Sequence, residues 1–490
     1  MKVLLVSPEV TPLARTGGLG DVVGALPPAL KAKGVDARIL CPLHKGSLNG
    51  REGKALNGSL TIRIGNRNRK VRIIETRLPD STIPVYLISH KGLYDRKGLY
   101  AGSKGDYSDN AERSMVLCRT ALHQQKLTGW QPNIYHSHDW MAAALPAYLN
   151  AESTWSLSPN PASVLTIHNL EHQGIFSGDA FNLTGLPQSY FSFEGFEHYG
   201  NLNLLKGGIQ HADKITTVSP TYSREIQEEA NGQGLHETLS YRAADLIGIL
   251  NGIDEEAWNP QKDHALPSTF GIHNAKLGKK ACRQSLCKEL GISSNPKLPL
   301  LGVVSRLCRQ KGLDLLLDIL PRMLEKEKCQ LALLGSGDKD LEKKFIELGN
   351  LYPKSTGVKI GFDDKLARRI FGGSDFFVMP SRFEPCGLAQ QYAMRYGALP
   401  IARNTGGLSD TIEDGNDNSL SPTGFLFDEM NEDSLSSAIA RALKLFQQRE
   451  AFNEMQVAAM GKPATWDTPA AQYIKVYQWA LEKAKLGQGK

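Results

Sequence analysis

The hexapeptide Thr-Gly-Gly-Leu-x-Asp occurs twice in this 490-residue chain, at Thr16–Asp21 and at Thr405–Asp410. Each copy follows a strand-like apolar run, Val3–Val6 or Ala398–Ile401, and precedes a helix-like segment. Tandem glycines let the backbone approach a ligand closely and adopt conformations that a side chain forbids. The unpaired N–H groups and positive dipole end of the following helix suit an anion. The repeat therefore points to a phosphate-bearing or polyhydroxyl ligand held by two similar α/β halves. Ordinary strand-to-helix turns are the alternative.

Other residues could share that chemistry. In Val303–Gly312, Arg306 stands at a strand end and Lys311 just before a helix. A guanidinium fork and a compact ammonium together can hold a diphosphate and stabilise it as a leaving group, though a solvated basic loop would look the same. Glu384, in Ser381–Leu388, could accept hydrogen bonds from sugar hydroxyls or could cap the next helix. His136, His138 and Asp139 have the two-residue spacing of a shared strand face, but no third ligand stands at a telling distance, so no metal is expected. A lone strand-end histidine such as His168 is more often structural than catalytic. Asp338 and Asp340 follow Gly335-Ser-Gly337 and open a helix, which capping explains. A dinucleotide fold would place its glycines directly after the first strand and an acid at the end of the second. Here the glycines come late and the second strand ends in Ile39-Leu-Cys-Pro42.

These residues need elements to carry them. In the first half, apolar runs at 2–7, 36–43, 71–78, 83–89, 133–138, 163–168 and 214–219 read as strands, with helices such as 21–32 and 110–125 between them. The runs near Val71 and Ile83 read as an antiparallel addition at the sheet edge. A second series follows at 298–305, 329–334, 358–362, 376–381, 398–402 and 424–427, with helices at 313–327 and 388–396. The expected fold is thus α/β, two doubly wound Rossmann-like domains facing across a deep cleft. The expected domains are 1–246, joined by a C-terminal helix over 466–490, and 247–465. Ligands in such sheets bind beyond the carboxyl ends of the strands, and the residues above collect there.

Composition narrows the class. Hydrophobic residues make up 41% and charged residues 22%, with 57 basic against 51 acidic side chains. The resulting +6 is mild for this length, and the basic stretch Arg63–Arg72 has no interleaved aromatics, so it reads as a solvated hairpin rather than a nucleic-acid site. No apolar run approaches the roughly 18–20 residues of a membrane span. Seven scattered cysteines form neither a disulfide framework nor a zinc pattern and fit a reducing cytoplasm.

The ensemble resembles the bacterial glycogen synthases and plant starch synthases, retaining glucosyltransferases of the GT-B type. The resemblance rests on Arg15–Pro27, Leu93–Arg96, His136–Trp140, Thr166–Asn169, Val218–Tyr222, Gly248–Asp254, Val304–Gly312, Pro380–Leu388 and Thr405–Asp410, in order along almost the whole chain. It implies transfer of glucose from ADP-glucose to the non-reducing end of an α-1,4-glucan without a cofactor; the alternatives are a UDP-glucose-using transferase of the same fold and a non-catalytic glucan-binding protein. It assigns Glu384, Arg306, Lys311, His168 and Asp139 to catalysis. Arg15, Gly18, Asn251, Phe362, Thr405, Gly406 and Gly407 fall on the donor, and Asp21, His168 and Asp139 on the glucose and acceptor side. Gly17 and Gly18, like Gly406 and Gly407, are expected to offer backbone N–H groups. Two positions depart from the family: Arg15 replaces a lysine, and Phe362 replaces a tyrosine.

Overall fold

Near-continuous apolar strands, each followed by an amphipathic helix, build two parallel sheets, because only burial on both faces suits such strands. The computed structural model describes residues 1–151, 161–415 and 421–486. The chain divides into two compact units, Met1–Gly252 with Trp466–Lys490, and Ile253–Thr465.

The first unit centres on β1 (Lys2–Val6), whose Val3 to Val6 are fully buried. It pairs in parallel with β2 (Asp36–Pro42) on one side. Beyond β2 lie β3 (Leu60–Ile64), β4 (Arg67–Arg77) and β5 (Pro84–Ser89), with the short strand Lys54–Ala55 paired to β4. β5 is parallel to β2, while β4 is antiparallel to β5 and β3 antiparallel to β4. The basic stretch lies on this β3–β4 hairpin, with Arg63, Arg67 and Arg72 exposed and Arg69 paired to Glu112. On the other side of β1 stand β6 (Ile134–His138), β7 (Ala162–Ile167), β8 (Lys214–Thr217) and β9 (Leu246–Gly248), all parallel. β9 pairs Leu246 with Ile215, so the first unit runs on to Gly252. The expected crossover at residue 247 moves for that reason.

The helix Asp467–Leu486 belongs to this unit. Tyr473, Val476, Tyr477 and Ala480 recur at helical spacing and join the core that holds Val3, Leu5 and Ile134.

Among the described residues, the second unit forms a sheet of six strands in the order β12-β11-β10-β13-β14-β15, every neighbour parallel. They are β10 (Leu300–Leu307), β11 (Gln330–Gly337), β12 (Thr356–Ile360), β13 (Phe376–Met379), β14 (Leu399–Arg403) and β15 (Phe425–Phe427). The order reverses direction between β10 and β13. The segments leaving these two strands therefore diverge to opposite faces and open a crevice at their carboxyl ends. Arg306 and Lys311 lie at and after the end of β10, and Ser381 and Glu384 follow β13.

Candidate functional site

In the first unit the glycine segment hangs on Glu9, a residue the sequence motifs pass over. Its carboxylate, 3% exposed, accepts from the Thr16 backbone N–H at 2.6 Å, the Thr16 hydroxyl at 2.6 Å, the Gly17 N–H at 3.3 Å and the Tyr100 hydroxyl at 2.6 Å. A buried carboxylate is tolerable when donors surround it in this way. One signal was legible: Glu9 lies just beyond the carboxyl end of β1. With the loop so pinned, Gly17 and Gly18 stay exposed as the helix Gly18–Ala32 begins. Asp21, in the first turn, accepts from the Thr11 hydroxyl and from the Arg15 guanidinium, each at 2.9 Å. Burial raises the Asp21 carboxyl above its ordinary range, against the pull of Arg15.

Asp139 follows β6 and sits in the left-handed region at φ +54°. Asp tolerates that conformation better than most side chains, yet it stores strain of about 1–3 kcal/mol, and such strain collects at functional sites. Its carboxylate accepts the His168 backbone N–H at 2.7 Å. Burial pushes its pKa up to about 7. His168 is not isolated: its Nε2 lies 2.9 Å from His138 Nδ1. Burial lowers its pKa to about 3, so the ring is neutral. His136 faces the Tyr477 hydroxyl and the Thr166 hydroxyl instead. Among the described residues no group of three His, Cys, Asp or Glu side chains is placed to hold a metal ion. Asn251 is buried shortly after β9.

In the second unit, Lys311 Nζ donates to Glu384 Oε2 at 2.6 Å, and the Ser381 hydroxyl donates to the same oxygen at 2.9 Å. Glu384 is 6% exposed. The next helix starts at Ala389 with Leu388 ahead of it, so Glu384 does not cap it. Arg306 is exposed and donates to Gln310 at 3.0 Å. Arg306, Lys311 and Ser381 line a shared recess. Phe362 stands apart from this cluster. It is 83% exposed and follows Gly361, whose φ is +137°.

In the second glycine pair, Gly407 does something other than expected. Gly407 N–H donates to the carbonyls of Glu384 and Pro385, at 3.1 and 3.2 Å, so it is not offered to a ligand. A Cβ on Gly406 would stand 2.1 Å from the Glu384 carbonyl oxygen, and one on Gly407 would stand 2.1 Å from that of Cys386. These glycines let the segment that carries Glu384 lie against the helix Gly406–Thr411, while Thr405 is buried just before it. Asp338 accepts from the N–H groups of Asp340 and Leu341 and caps its helix.

Residues 2–241 match the starch synthase catalytic domain family, and residues 290–456 match the glycosyl transferases group 1 family. A glycogen synthase of Geotalea daltonii is 43% identical over 488 residues, covering 99% of each chain. One of Roseobacter denitrificans is 42% identical over 489 residues, covering 98% of this chain and 100% of its own. The catalytic domain of starch synthase IV from Arabidopsis thaliana, solved bound to ADP and acarbose, matches with a TM-score of 0.89 and 31% identity. That match covers 98% of this chain and 99% of the other.

Proposed function

Because this chain belongs to the glycogen synthase family of glycosyltransferases, we propose that it transfers glucose from ADP-glucose to the non-reducing end of an α-1,4-glucan, with retention of configuration. The observation that carries the reading is the Lys311–Glu384–Ser381 cluster beside Arg306. Two cations and a buried carboxylate at the crevice of a parallel sheet suit a sugar diphosphate. Full-length likeness to a starch synthase solved with ADP supports the same donor.

In this reading Arg306 and Lys311 hold the donor diphosphate and stabilise it as it leaves. Glu384 lies against the donor sugar and ribose. Arg15, Gly18, Asn251, Thr405 and Gly406 line the donor, and the Phe362 ring stacks on adenine. Asp21, Asp139 and His168 address the glucose and acceptor. A carboxylate nucleophile would also give retention. Asp139, with its pKa near 7, is only about half ionised at neutral pH and suits that role poorly. Glu384 already has one oxygen bound by both Lys311 and Ser381. Attack therefore comes from the front face, and the departing phosphate takes the acceptor proton. The seven free cysteines fit work in a reducing cytoplasm.

The test is to incubate the protein with glycogen and either ADP-glucose or UDP-glucose and to measure nucleoside diphosphate release. Glucan-dependent ADP release is expected. UDP release alone would keep the reaction class and make Arg15 and Phe362 the origin of a changed donor. Silence with both would refute the reading, and a glucosyl adduct trapped on Glu384 or Asp139 would overturn the front-face step.

A further inference from the structure

Three histidines stand in a row, His136 and His138 on β6 and His168 just past the end of β7. His136 uses both ring nitrogens, Nδ1 with the Tyr477 hydroxyl at 2.9 Å and Nε2 with the Thr166 hydroxyl at 2.6 Å. Its place is therefore explained by the fold. His138 is next, its ring centre 4.1 Å from that of His136 and 5.2 Å from that of His168. Its Nδ1 meets His168 Nε2 at 2.9 Å, while its own Nε2 is buried without a hydrogen-bond partner. The dipeptide His138-Asp139 thus grips His168 twice, by the ring and, through the Asp139 carboxylate, by the backbone N–H.

Burial holds His168 at about 3 and His138 well below its ordinary range, so each ring carries one proton at neutral pH. One hydrogen bond between two neutral imidazoles leaves two arrangements. If His168 Nε2–H donates, the His138 proton sits on Nε2, a buried N–H with no acceptor. If His138 Nδ1–H donates, His138 Nε2 is only a bare lone pair, and the His168 proton sits on Nδ1. Orphaned donors are the rarer of the two inside proteins.

We propose that His138 is a positioning residue for glucosyl transfer: its Nδ1–H fixes the tautomer of His168, which then presents an Nδ1–H donor to a hydroxyl of the sugar. This rests on the assignment of His168 to the glucose side. The carboxylate-histidine pairs of metal sites use an outer partner to set a ring in the same way. Here the outer partner is a second histidine, and the ring it sets addresses a sugar.

The test uses the full chain labelled with ¹⁵N-histidine. The His168 signals are identified by their loss in His168→Gln. A protonated, pyrrole-type Nδ1 and a pyridine-type Nε2 are expected for His168, and the reverse pattern overturns the proposal. In parallel, His138→Phe keeps a ring but removes the donor, and should lower kcat about 10- to 100-fold. His138→Asn places an amide N–H where Nδ1–H stood and should rescue most of that loss. Equal losses in both variants, tracking a lowered melting temperature, would mean a merely structural histidine. If the unsubstituted protein fails to release ADP, the functional reading falls, while the spectrum still decides the tautomer.

Discussion

Lys311 and Glu384 are 73 residues apart in sequence and 2.6 Å apart in space. Their pairing makes one prediction separable into chemistry and stability. Arg306→Ala and Lys311→Ala should each lower kcat/KM about 100- to 1,000-fold, as expected for removing a fixed charge from a developing anion. Arg306 is exposed and its loss should leave the melting temperature unchanged. Lys311→Ala strips the cation from a buried carboxylate and should also destabilise the second unit. Calorimetry beside an ADP-release assay separates the two effects, and near-normal turnover in both variants would sink the diphosphate assignment. Asp139 yields a pH signature. Its folded pKa, about 7, lies above the roughly 3.9 of an unfolded aspartate, so its contribution to stability is full below pH 4 and is lost as pH rises through 7. Asp139→Asn cannot ionise and keeps an oxygen for the His168 N–H. The variant should gain on the parent from pH 4 to 7, by on the order of 4 kcal/mol, and run parallel above. Denaturant titrations at stepped pH measure this, and a gap independent of pH would refute the raised carboxyl.

At the scale of elements, the two glycine hexapeptides look alike in sequence and differ in use. Gly17 has φ −162° and no atom within 4 Å of where a Cβ would go, so alanine fits the fold there. Gly407 has the Cys386 carbonyl oxygen 2.1 Å from that point. Gly17→Ala should therefore leave the melting temperature within about 1 °C of the parent, as surface changes do, while reducing turnover if the loop meets the ligand closely. Gly407→Ala should force the segment 384–386 away from its helix and cost about 1–3 kcal/mol by overpacking, with activity falling alongside. Paired melting curves and rate assays decide it. A thermally normal Gly407→Ala would disprove the packing role, and a fully active Gly17→Ala would remove Gly17 from the site. The motif was legible because the hexapeptide recurs, each time between a strand-like run and a helix-like segment. Its two uses were not, because the carbonyls that crowd Gly406 and Gly407 come from residues 384–386, while nothing crowds Gly17.

At the scale of the molecule, each unit closes its own core, and the first does so with the end of the chain. Tyr473, Val476, Tyr477 and Ala480 are fully or almost fully buried. Large side chains of this kind contribute about 1.5–3 kcal/mol each on burial, so losing this face takes a sizeable part of the roughly 5–15 kcal/mol that holds a domain together. Removing 466–490 should abolish the cooperative melt of the first unit and leave His136 without its tyrosine, while the second unit still melts. A truncated protein that melts like the parent would show the helix to be dispensable. The sequence alone determined the alternation of strand and helix, the two-fold layout and the family, since apolar periodicity and glycine spacing are set by near neighbours along the chain. It also marked Arg306, Lys311, Glu384, Asp139 and His168, because the ends of parallel strands are where such folds place chemistry. Tertiary structure alone decided that Glu384 answers to Lys311 rather than to a helix, that Gly407 spends its N–H inside the fold, and that Glu9 holds the first glycine loop. It decided, too, that three histidines from two strands form one row. The first and the last of those outcomes depend on contacts across 73 and 30 residues. The order of the strands brings such partners together, and no local pattern records which partner will arrive.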